Sequence, residues 1–107
     1  MKVRFSDNRI RIRVDDLEVA ALERGEEVRA RTQWVGGGWE VVLDPLVSQT
    51  MGEHGLLRIG LLEVLPEFLA SGMSDSDEAS LRQDGLVLVW PNMPKIMLQK
   101  DFGPQHL

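Results

Sequence analysis

Apolar and charged residues alternate from Lys2 to Val14: Val3 and Phe5 stand before the polar triplet Ser6-Asp7-Asn8, and Ile10, Ile12 and Val14 follow it. Period two with a polar break predicts a half-buried hairpin, and Asn8 tolerates the positive φ that such a turn demands. For both apolar sets to share a face, the numbers of opposed residues must sum to an odd value. The tightest such register pairs Phe5 with Ile10 and Val3 with Ile12, which sets Arg4 against Arg11 and Lys2 against Arg13. The spacing then changes to a helical one. Asp15 or Asp16 starts the helix, and Glu18 stands three residues after Asp15 in a capping-box arrangement. Leu17, Ala20, Ala21 and Leu22 supply its apolar stripe, and Gly25 is the natural stop. A helix this short is unstable alone in water and must pack on the sheet.

Alternation resumes at Val28, Ala30, Thr32 and Trp34, with Arg29, Arg31 and Gln33 on the other face. After the turn Val35-Gly36-Gly37-Gly38, the apolar face continues through Trp39, Val41 and Leu43. That reading places Trp34 opposite Trp39 and Arg29 opposite Asp44. Pro45 closes a strand–strand–helix–strand–strand unit over residues 1–44.

The same order is expected over residues 46–102. Leu46 to Met51 reads as a strand, Gly52-Glu53-His54-Gly55 as a turn and Leu56 to Ile59 as a strand. Leu61 to Ala70 has a helical pattern, but Pro66 inside a helix costs about 3 kcal/mol. A start near Val64 makes Pro66 an early-turn residue, where it is tolerated. Laying Gly72 over Gly25 also lays Arg58-Ile59 over Arg11-Ile12 and Leu69 over Leu22. A polar loop at 73–84 follows. Leu86, Leu88 and Trp90 then form a strand up to the turn Pro91-Asn92-Met93-Pro94, and Lys95 to Lys100 returns from it. Trp90 precedes its turn as Trp34 precedes its own. Two ββαββ repeats of this kind predict an α+β fold, an eight-stranded, mostly antiparallel, barrel-like sheet with two short helices and a tail at 103–107. Neither unit covers both faces of its own strands, so the halves must bury each other.

Composition narrows the chemistry. The 107 residues contain no cysteine, which removes disulfides, thiolate metal sites and cysteine nucleophiles. No apolar run reaches the roughly 18 residues that span a bilayer, because Arg58, Glu63 and Glu67 interrupt the richest segment. The first residues lack a signal peptide's continuous apolar core, so a cytoplasmic location is the default. A formal net charge of -5 argues against general affinity for nucleic acid or anionic membranes. Within that acidic whole the arginines concentrate in the first half.

Arg4, Arg11, Arg13, Arg29 and Arg31 therefore draw notice as a stripe on the strand faces opposite the apolar set. They read either as a solvated face relieved by Glu27, Glu40 and Asp44, or as a site for an anion such as phosphate, whose oxygens match arginine forks. Trp34, Trp39 and Trp90 sit at hairpin ends; they read as core packing or as a rim that docks a ligand or a second subunit. Ser74-Asp75-Ser76-Asp77-Glu78 begins like a calcium loop but lacks its central glycine and distal glutamate. His54 and His106 have no metal-ligand partners at a useful spacing, and Val35-Gly36-Gly37-Gly38-Trp39 has no phosphate-loop lysine. No cofactor or catalytic constellation is expected.

MKVRF with NRIRIRV at the start and Lys100-Asp101-Phe102 near the end resemble a family of small uncharacterised bacterial proteins. Its members begin with a basic alternating strand, continue into an acid-capped helix and end near a Lys-Asp-Phe motif. The family places a cysteine after that motif where Gly103 stands here, so no thiol or metal role carries over. The resemblance implies a fold and no activity. The functions in view are a non-enzymatic interaction module forming a homodimer through exposed tryptophan and the leucine and methionine surface of the second half, Leu56 to Met73, and a barrel binding a small anion or nucleotide on the arginine face. An enzyme ranks third.

Overall fold

The computed structural model describes residues 1–70 and 85–101. The acidic loop, His106 and Phe102 lie outside the described residues. Ten elements follow in order: β1 (Lys2–Ser6), β2 (Arg9–Val14), α1 (Asp16–Glu23), β3 (Val28–Trp34), β4 (Gly37–Asp44), β5 (Met51–Glu53), β6 (Leu56–Gly60), α2 (Leu65–Ala70), β7 (Leu86–Leu88) and β8 (Lys95–Lys100). The fold is α+β, and the expected strand–strand–helix–strand–strand order occurs in both halves. Among the described residues no helix is long and apolar enough to cross a membrane.

The strands do not close into the expected barrel. They form two mixed four-stranded sheets, β1-β2-β8-β7 (sheet 1) and β3-β4-β6-β5 (sheet 2). Each helix parts the two hairpins of its half, and those hairpins enter different sheets. Every sheet is thus a hairpin from one half beside a hairpin from the other, joined through a central parallel pair, β2 with β8 and β4 with β6. The two sheets also share one register. Ile10 faces Ile96 as Leu57 faces Val41, and Arg11 faces Met97 as Arg58 faces Val42. Arg4 faces Arg11 as Met51 faces Arg58, and Val28 faces Leu43 as Leu86 faces Leu98. Even the turn contacts recur: the Lys95 N–H donates to the Asn8 carbonyl at 3.1 Å and the Glu40 N–H to the Gly55 carbonyl at 2.7 Å. Asn8 and Gly55 both hold a left-handed φ, 55° and 70°.

The inner faces of both sheets and the two helices meet in a single apolar cluster. Ile12, Leu43, Ile59 and Leu98 come from the central strands, Leu22 from α1 and Phe68 from α2, and all six are inaccessible to solvent. Asp15 caps α1 in the predicted capping box, accepting from the Glu18 N–H at 2.8 Å while the Asp15 N–H donates to Glu18 Oε1 at 2.9 Å. The helix ends in a Schellman motif: Gly25 at φ 83° donates to the Leu22 carbonyl, and the Glu26 N–H donates to the Ala21 carbonyl. The short start of α2 leaves Pro66 in the first turn.

Three local expectations give way. The β3–β4 hairpin turns on two residues, Val35-Gly36, with Gly36 at φ 89°. Trp39 therefore opposes Thr32, Trp34 opposes Gly37 and Arg29 opposes Val42. Three consecutive glycines permit more than one turn placement, and the observed slip by two residues keeps every side chain on its face. The fifth strand is only Met51–Glu53, because polar side chains hold the preceding backbone in a loop. Asp44 Oδ1 accepts the Leu46 N–H at 2.9 Å, and Thr50 Oγ1 accepts the Gly60 N–H at 3.1 Å. The seventh strand ends at Leu88, before Trp90.

Candidate anion-binding face

The alternation of β1 and β2 puts Lys2, Arg4, Arg9, Arg11 and Arg13 on the outer face of sheet 1, with Arg4 opposite Arg11 and Lys2 opposite Arg13 as predicted. Parallel pairing with β8 adds Lys95 beside Arg9, Met97 beside Arg11 and Gln99 beside Arg13. Side chains two apart on a strand lie about 6.7 Å from each other, and neighbouring strands about 4.8 Å. Like charges this close repel one another. Lys2 stands 4.0 Å from Asp101, whereas Arg4, Arg9, Arg11 and Arg13 form no ion pair with a described residue. Two hollows adjoin on this face. One of about 270 Å³ is lined by Lys2, Val3, Arg4, Arg11 and Arg13; the other, about 260 Å³, by Arg4, Ser6, Arg9, Arg11 and Met97. Arg4 and Arg11 form their common wall.

Arg29 and Arg31 are not part of this surface. They lie on β3 in sheet 2, so the five predicted arginines divide between two sheets. There Arg29 donates to Glu40 at 2.9 Å and to Glu27, and Arg58 donates to Glu27 at 2.7 Å and to Asp44 at 2.6 Å. The hydrogen bonds from Arg58 and then Arg29 hold the Glu27 carboxyl below the usual carboxylate range, and Glu27 and Asp44 raise the Arg58 guanidinium. Arg31 faces Glu40 across the ladder and lines a hollow with Trp39, Glu40 and His54. Among the described residues no group of three His, Cys, Asp or Glu side chains could hold a metal ion.

The matched registers make the two outer faces directly comparable. Arg11 on β2 corresponds to Arg58 on β6. The three acids that neutralise sheet 2, Glu27, Glu40 and Asp44, correspond to Gly85, Lys95 and Gln99 in sheet 1. The same backbone arrangement thus carries Arg29 and Arg58 paired with carboxylates on one side and, among the described residues, four arginines without such partners on the other.

The tryptophans have separate settings. Trp39 meets Phe5 edge to face at 5.2 Å, closing a corner between the sheets, and both Trp39 and Trp90 pack against the core. Trp34 is 57% exposed and Phe5 53%. Arg9 and Arg58 were missing from the residues singled out by sequence. Arg9 follows the turn directly but shares the parity of Arg11 and Arg13, and Arg58 is signalled by its alignment with Arg11. Comparison of the chain with family models, curated proteins and solved structures finds no match to any of them.

Proposed function

We propose that this chain is a small binding module that captures an anionic partner on the outer face of sheet 1. The observation that carries the reading is the contrast between the two faces: Arg58 and Arg29 are engaged by carboxylates, while Arg4, Arg9, Arg11 and Arg13 have none among the described residues. Arginine forks donate in pairs to carboxylate or phosphate oxygens, and two hollows sharing Arg4 and Arg11 offer adjoining seats for such groups. The recurrence of element order and register supports an origin in two ββαββ repeats, which differ in the acids beside their arginines.

Calorimetric titration with inorganic tripolyphosphate tests the reading. Binding is expected to weaken steeply with salt. Lys95→Glu, which puts beside Arg9 the acid found at the corresponding Glu40 and leaves every arginine in place, should weaken it about tenfold. Arg29→Ala should leave it unchanged. Absence of binding at low salt, or equal affinity in Lys95→Glu, removes the proposal.

A second reading, self-association into a homodimer, is favoured by the exposed corner of Phe5, Trp34 and the wholly exposed Val35. Sedimentation velocity decides it: a concentration-dependent dimer lost in Trp34→Ser supports this interface, and a monomer at every concentration removes it.

A further inference from the structure

The cationic columns of sheet 1 border an apolar one. Crossing the strands at the centre of the face, the outward residues run Arg4, Arg11, Met97, Val87. Met97 lines the second hollow, Val87 is 54% exposed, and Val89 beyond it is 71% exposed. The face is thus not uniformly basic. It passes from two cations to two aliphatic side chains over a width of about 15 Å.

Resting on the anion-binding reading, we infer that the occupant is an extended segment of a protein partner carrying carboxylates followed by aliphatic side chains. Such a segment points every second residue to one side about 6.7 Å apart, so four of them span about 20 Å and their side chains lean inward to meet a row about 15 Å wide. Two acidic side chains reach the seats formed with Arg4 and Arg11, and the next two apolar ones cover Met97 and Val87. The charge and apolar order of the face is complementary to that sequence.

The other polyanions fit less well. A single-stranded nucleic acid needs aromatic platforms for its bases, and the outward positions of the strands in sheet 1 carry none. The net charge of -5 also opposes a long polyphosphate at a distance. An anionic bilayer is a broad surface, whereas the cations here line two recesses walled by Arg4 and Arg11. Aromatic residues of the kind that settle at a membrane interface are again missing from these strands.

Fluorescence anisotropy with the full chain tests the inference, using a capped, labelled peptide Glu-Ser-Glu-Ser-Leu-Ser-Leu. Its counterpart with both leucines replaced by serine, an oligothymidylate and phosphatidylserine vesicles complete the set. The leucine peptide is expected to bind about tenfold more tightly than the serine one. Met97→Ser with Val87→Ser should erase that difference. Arg11→Ser should weaken both peptides. Equal affinity of the two peptides, or tighter binding of oligothymidylate or vesicles than of the leucine peptide, overturns the segment assignment while anion binding stands. Failure of every probe, tripolyphosphate included, overturns both.

Discussion

Replacing Arg58 with Met isolates the charge network that neutralises sheet 2. Methionine keeps an unbranched apolar stem over the sheet and removes the guanidinium. Asp44 is the partner that matters, because its side chain is only 8% exposed. Its Oδ1 retains the Leu46 N–H, but Oδ2 loses the donor that Arg58 supplied at 2.6 Å. A buried acceptor left unsatisfied costs about 1 to 3 kcal/mol, and a charged one lies at the upper end. Glu27 is better exposed and keeps Arg29, so its share is a few tenths. The substitution should therefore destabilise the protein by about 2 to 3 kcal/mol. Arg29→Met is the comparison: its partners Glu27 and Glu40 are reachable by water, and its cost should stay below about 1 kcal/mol.

Urea unfolding followed by tryptophan fluorescence reads both variants, as a fall in midpoint at unchanged slope. Adding Asp44→Asn to Arg58→Met should return part of the loss, since a neutral amide is less costly to bury without its partner. The pH dependence supplies an independent check. Glu27 has a folded pKa depressed by Arg58 and Arg29, so its contribution is present above the ordinary carboxylate range and disappears as pH falls through the lowered folded value. The stability gap between wild type and Arg58→Met should accordingly narrow from about pH 5 downward. Equal midpoint shifts for Arg58→Met and Arg29→Met, or no return from Asp44→Asn, would refute the assignment of Asp44 as the dependent partner.

Two further outcomes concern the frame that holds the faces. Gly60→Ala should cost about 1 to 3 kcal/mol or more, because an added Cβ would stand 2.6 to 2.7 Å from backbone atoms of Ser48 and Gln49; a thermal scan measures it. Asp15→Ala should cost about 1 kcal/mol by removing the α1 cap, and hydrogen exchange should quicken at Glu18, whose N–H the Asp15 carboxylate accepts at 2.8 Å.

How much of this was legible before the structure depended on how local each cause is. The first hairpin was readable to the residue: two apolar pairs and a polar turn admit a single close register, and it is the one observed. The α1 cap and stop were equally plain, since Asp15, Glu18 and Gly25 act within one or two turns of themselves. The β3–β4 register was not, because Gly36, Gly37 and Gly38 leave the turn position open. The strand expected from Leu46 was lost to side-chain contacts made by Asp44 and Thr50, which periodicity does not register. Pairing between halves was least accessible. Nothing in the alternation of β2 says that β8 lies beside it, and that pairing alone separates Arg11 from Arg29.

The division of the arginines changes what an acidic chain with a basic stripe means. Net charge governs approach from afar, and at physiological ionic strength its reach falls off over about 8 Å. Within that distance an anionic ligand would meet only the local set, and among the described residues Arg4, Arg9, Arg11, Arg13 and Lys95 outnumber the acids paired to that face. A long polyanion extends past the face into the field of the remaining acidic surface, while a short anionic segment does not. On the anion-binding function proposed above, the combination would select by length as well as by sign, a property neither the total charge nor the arginine stripe has by itself. Sheet 2 supplies the comparison within the same molecule. Its backbone register is the same and Arg58 occupies the place of Arg11, yet Glu27, Glu40 and Asp44 pair with Arg58 and Arg29 from within.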